Sequence, residues 1–244
     1  MDLAPPREST GGRSTAELRF GAILCVWMVL ILALNGARWI AGFRPVLLAV
    51  AVERGVQRIE ADGKGETGDD LVRKAIRTQR DSLPFWTVVF VFGDFVIEPF
   101  ALVLRAVCVA IGFTAIAAMT GRPLQFERAL SDSAWIQGFW VLGLAVRVGL
   151  LVVLRRGEDD LDTSLGLLLP PGTYPAATWL MLRECDVFAL LGWVSLATSG
   201  WRRGDANLAA AVVLCSGLGF FEMSLRTAVG LVLGSAMRLS LIAS

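Results

Sequence analysis

Apolar stretches of about 20 residues recur along this chain, and that length is what an α-helix needs to cross the hydrocarbon core of a bilayer. The candidate spans are residues 20–43, 97–119, 135–154, 178–199 and 206–237. Inside lipid a helix pairs its own backbone groups, so runs of this kind specify helices packed against one another. The expected fold is all-α: a polytopic transmembrane helical bundle of about five spans. Composition agrees, because 55% of the residues are hydrophobic and 18% charged, outside the soluble globular norm.

Polar segments punctuate the spans and divide the chain. Residues 1–19 are polar and rich in Pro, Gly and Ser, with too little apolar surface to offset ordering entropy, which predicts a disordered tail. Residues 20–43 form the first transmembrane span, and Arg38 and Trp39 at its end suit an interfacial anchor better than a cleavage site. Residues 44–84 interleave both charge signs and read as a polar extramembrane helical loop, two helices joined by the glycine-rich residues 62–68. Residues 85–244 make a four-span membrane domain. The run 85–119 is too long for one straight crossing and is interrupted by Asp94, Glu98, Pro99 and Arg105, so its crossing part is expected to begin at Ile97.

Several function classes are excluded early. Histidine is absent and the net charge is +1, which removes the usual haem ligand, zinc ligand and general base and leaves no nucleic-acid footprint. Cys25, Cys108, Cys185 and Cys215 each belong to a different apolar segment without CxxC pairing, so they read as small buried hydrophobes. No catalytic residue, cofactor or metal is expected, and the chain is expected not to be an enzyme.

Ionisable side chains within the spans are costly and need partners. Asp94, Glu98 and Arg105 share one helical face and are expected at the membrane interface, ahead of the crossing part. Arg147 stands deep in the third span, Glu222 and Arg226 lie four residues apart in the fifth, and Arg183, Glu184 and Asp186 cluster at the start of the fourth. The sharpest expectation is an ion pair between Arg147 and Glu222. Gly230 and Gly234 form a GxxxG, and Gly192, Ser195 and Ser199 line one side of span four, faces expected to pack closely within the bundle or to mark a contact with another membrane subunit. Trp39, Trp86, Trp135, Trp179 and Trp201 fall at span ends as an aromatic belt.

Three stretches carry a resemblance. Residues 120–130 (TGRPLQFERAL) make a glycine turn leading through Phe126 into span three; residues 164–170 (SLGLLLP) form an apolar loop closing on Leu-Pro; residues 186–193 (DVFALLGW) open span four with Asp, Phe and Trp, and a short Arg202–Arg203 turn follows Gly200. Together they resemble the Yip family, the Ypt/Rab-GTPase-interacting five-span membrane domain, in its bacterial branch. The resemblance implies a trafficking-linked fold or, in bacteria, association with ABC-type exporters, and it carries over no catalytic residue.

The function expected from these features is a non-enzymatic membrane scaffold or accessory subunit, with the lipid bilayer and other membrane subunits as partners. A small-solute transporter or channel is the first alternative, and an accessory subunit of a bioenergetic complex the second. Only Lys64 and Lys74 accompany the arginines, which suits a GC-rich bacterial genome and hence the cytoplasmic (inner) membrane. The denser positive charge in the short segments puts the N terminus in the cytoplasm.

Overall fold

The computed structural model describes residues 11–62, 69–123, 125–154, 164 and 176–236. Among these the regular elements are all helical: α1 (Gly11–Ile40), α2 (Phe43–Asp62), α3 (Asp69–Asp81), α4 (Leu83–Phe92), a π-helical turn (Gly93–Ile97), α5 (Glu98–Met119), α6 (Phe126–Ile136), α7 (Gly138–Leu154), α8 (Ala176–Glu184), α9 (Val187–Arg203) and α10 (Leu208–Ala236). Ser164 and Asp186 add an isolated antiparallel bridge. Four stretches, Arg19–Ile40, Asp70–Met119, Phe126–Leu154 and Leu208–Ala236, are long and apolar enough to cross a bilayer. Their outer faces present Val26, Val88, Phe100, Val153, Val213 and Phe221, each more than half exposed. A contiguous apolar exterior of this kind fits lipid rather than water. The chain is thus an all-α membrane protein.

Several boundaries differ from the sequence expectation. The tail expected at 1–19 is helical from Gly11; residues 1–10 lie outside the described residues, as do the glycine-rich 63–68 and most of the acidic and Pro-Pro-Gly loop at 155–175. The second span does not begin at Ile97, because α4, the π turn and α5 run on as one helix. Pro99 explains the π turn: it cannot donate to residue 95 and its ring crowds that carbonyl, so the helix widens ahead of it. The Glu98 N–H accordingly reaches the Gly93 carbonyl, five residues back. The fourth span at 178–199 is two helices, broken at Cys185 and Asp186. Asp186 turns extended (ψ 140°) and caps α9, its carboxylate accepting the Phe188 N–H at 2.9 Å. At 17 residues, α9 spans about 25 Å and lies against α7 and α10.

Packing among the spans uses glycine holes filled by aromatic rings, the close-approach mode open to helices that gain no hydrophobic drive from lipid. A methyl built on Gly192 would stand 2.5 Å from the Trp140 ring, and one on Gly219 would stand 3.1 Å from Trp193. Gly200 receives Phe113 in the same way. The GxxxG at Gly230 and Gly234 does not take part: a Cβ at either glycine meets nothing within 4 Å, so of the two expectations for this face, packing within the bundle is not met. Gly192 packs as expected, whereas Ser195 lies at the far-end hollow beside Ser199, Arg202 and Arg203. Cys25 is exposed, Cys108 and Cys185 are half-buried and only Cys215 is buried, which corrects the expectation of four buried thiols. Trp86 is also buried, at 5% exposure, and so is no belt residue.

Candidate functional site: an arginine-rich cavity inside the bundle

Consecutive crossings alternate in direction, so the end of α1, the start of α5, the end of α7, the start of α9 and the second half of α10 meet at one end of the bundle. A cavity of about 490 Å³ opens there, and its wall draws on α1, α2, α4, α5, α7, α8, α9 and α10. Arg38, Arg44, Arg105, Arg147, Arg183 and Arg226 line it. Four carboxylates share the wall: Glu98, Glu184, Asp186 and Glu222. All six of the intramembrane charges singled out from the sequence, Arg147, Glu222, Arg226, Glu98, Arg105 and Asp186, therefore face one space.

Their pairing differs from the expected one. Glu222 is held by Arg105, whose Nε donates to Oε2 at 2.8 Å while Nη2 donates to Oε1. Arg226 adds two bonds to Glu222 Oε1, at 2.9 and 3.1 Å. Arg147 instead donates from Nη2 to Asp186 Oδ2 at 2.9 Å. Arg147 turns toward the N terminus of α9, where Asp186 already serves as cap. Arg105 is far more buried than its neighbours, its side chain 4% exposed, against 36% for Arg147 and 42% for Arg226. Its Nη1 also donates to Gln137 Oε1 at 2.7 Å, and its guanidinium lies 4.0 Å above the Trp140 ring. One side chain thus ties α5, α7 and α10 together.

A second polar group sits beside the cavity. Asp94, on the π turn, is 4% exposed and accepts two bonds from Arg44, at 2.7 and 2.9 Å, and one from Trp39 Nε1 at 2.9 Å. Asn35, fully buried, donates to the Asp94 carbonyl at 2.7 Å and to Glu98 Oε2 at 2.9 Å while its own oxygen accepts from Arg38. Asp94, Glu98 and Arg105 therefore lie within the bundle rather than at the interface expected for them. Asn35 and Gln137 were missed by sequence reasoning. The available signal was a lone amide inside an apolar run, since a buried amide needs partners that the lipid cannot supply.

The cavity is closed at its inner end. Trp140 and Trp193 form an edge-to-face pair, 5.7 Å between centroids at 88°, and both pack on a buried cluster of Val109, Phe113, Leu196, Ala197, Ala206, Ala211 and Cys215. Beyond this plug, at the opposite end, Arg203 binds Asp132 at 2.6 Å and Asp205 at 2.8 Å, and Arg122 donates to the Gly204 carbonyl at 2.6 Å. Cys185, between α8 and α9, lines the cavity and touches Met223 through sulfur at 3.5 Å.

No family model matches this chain, and neither a curated protein nor a solved structure does. The resemblance to the Yip family rests on the three short stretches alone.

Proposed function

We propose that this protein is a small-solute transporter of the cytoplasmic membrane, with α9 as a fifth crossing and the arginine-rich cavity as its binding site. The observation that carries this reading is the convergence of ten ionisable side chains on one cavity within helices whose outer faces are apolar. Each charge placed at bilayer depth costs about 2.5–3.5 kcal/mol on insertion scales, and apolar residues of similar volume would hold the helices together at least as well. A role in packing alone leaves that arrangement without a purpose. The aromatic pair and apolar plug separate the cavity from the polar far end, as a one-sided state of alternating access requires.

Two-sided labelling tests the proposal. A variant keeping Cys185 as its single cysteine is expected to react with a membrane-impermeant methanethiosulfonate from one face of sealed vesicles. A cysteine placed at Leu196, inside the plug, is expected to react from the opposite face, more slowly. A plug cysteine inert from both faces would count against transport.

A specific observation favours a second reading, the non-enzymatic scaffold or accessory subunit. Gly230 and Gly234 form a small-residue face that none of the described residues covers, the surface by which one membrane helix meets another.

A further inference from the structure

We propose that the ligand of the cavity is an oxyanion, a phosphate or carboxylate group, held by guanidinium forks; this deepens the transport reading and rests on the same cavity. Among the described residues, six arginines face the space against four carboxylates, an excess of two positive charges. Asp94, behind Arg44, offsets one of them, and a positive charge remains inside a site walled by apolar helices. A low-dielectric wall strengthens that field and makes an anion the favoured occupant. Among the described residues every cation lining the cavity is arginine, whose planar fork matches two oxygens of a phosphate or carboxylate at once, as a lysine point charge does not.

Arg183 is the side chain placed to meet such a ligand. Among the described residues it makes no ion pair and lies 5.3 Å over the Trp179 ring, so an arriving oxyanion need not displace an internal carboxylate. Arg105 is committed to Glu222 and Gln137 at the floor, and Arg147 to Asp186. These two set the field, while Arg183 supplies the fork. Glu184 beside it opposes anion entry, so neutralising it acts in the opposite direction.

The full chain in nanodiscs of zwitterionic phosphatidylcholine provides the test, read through intrinsic tryptophan emission, to which Trp140 and Trp193 in the cavity wall contribute. Inorganic phosphate, acetate and phosphatidylglycerol are titrated separately against sodium chloride of equal ionic strength; the first two stand for a free anion and the third for a lipid headgroup. A saturable response to at least one probe is expected, weakened about tenfold or more by Arg183→Gln, corresponding to about 1.4 kcal/mol, and strengthened by Glu184→Gln. Arg183→Gln breaks no internal ion pair, so it keeps the fold, and Arg128→Gln at the far end is expected to bind as the native chain does. No probe exceeding chloride, or equal affinity in native chain and Arg183→Gln, overturns the proposal. If Cys185 and the Leu196→Cys position still label from opposite faces in that event, transport stands and only the anion assignment falls; anion binding with an inert plug cysteine has the reverse meaning.

Discussion

Replacing Arg105 and Glu222 by leucine, singly and together, measures whether the floor of the cavity is built as described. Arg105→Leu leaves Glu222 with Arg226, so no carboxylate is stranded. It does strand Gln137 Oε1, which is fully buried, at about 1–3 kcal/mol, and it removes a desolvated cation–π contact with Trp140 worth about 2 kcal/mol. Glu222→Leu leaves a guanidinium 4% exposed without its carboxylate, a loss of about 3–5 kcal/mol. Each single change therefore costs about 4 kcal/mol. The double change removes both charges and lets the half-exposed Arg226 turn to water, so its loss stays near that of one single change rather than near 8 kcal/mol, a coupling of roughly 4 kcal/mol. Arg147 and Glu222, which share no bond, are expected to be additive within about 0.5 kcal/mol. Equilibrium unfolding by sodium dodecyl sulfate in mixed micelles, followed by tryptophan emission, gives all the values. Additive losses for Arg105 and Glu222, or strong coupling between Arg147 and Glu222, would refute the pairing.

Gly192→Val drives two methyls into Trp140 and is expected to destabilise the bundle by about 2–3 kcal/mol in the same assay, whereas Gly234→Val, facing open space, should shift stability by less than about 0.5 kcal/mol. Asp94→Asn removes the acceptor charge shared by Arg44 and Trp39 and is expected to cost about 3 kcal/mol, read as earlier proteolysis of the α1–α2 connection.

The extent of most spans was legible in the sequence; rotation about them was not. The long apolar runs located α1, α7 and α10, whereas the break at Asp186 inside the fourth run was not foreseen. Ionisable residues within the runs marked Arg147, Glu222, Arg226 and Asp186, which the cavity gathers, but Asp94, Glu98 and Arg105 were placed at the interface because a polar interruption reads the same at a span's end as inside a bundle. Partner choice depended on where each helix faces, and hydropathy holds no record of that, so Arg147 was matched to Glu222 when Asp186 was its neighbour. Pro99 was visible as an interruption, but a helix can answer a proline by breaking or by widening, and only the packing of Asp94 onto Arg44 and Trp39 selects the second. Gly230 and Gly234 read identically whether a GxxxG faces its own bundle or another chain.

The bundle is inverted in its organisation, with a charged cavity inside and an apolar exterior suited to lipid. Spin labels at Cys185, with Cys25, Cys108 and Cys215 replaced by alanine, and at a cysteine introduced at Val213, 72% exposed, distinguish the two environments in reconstituted bilayers. The expected result is collision with the polar nickel reagent NiEDDA dominating at Cys185 and collision with molecular oxygen dominating at position 213. Oxygen-dominated relaxation at Cys185, or ready access of NiEDDA to position 213, would contradict it.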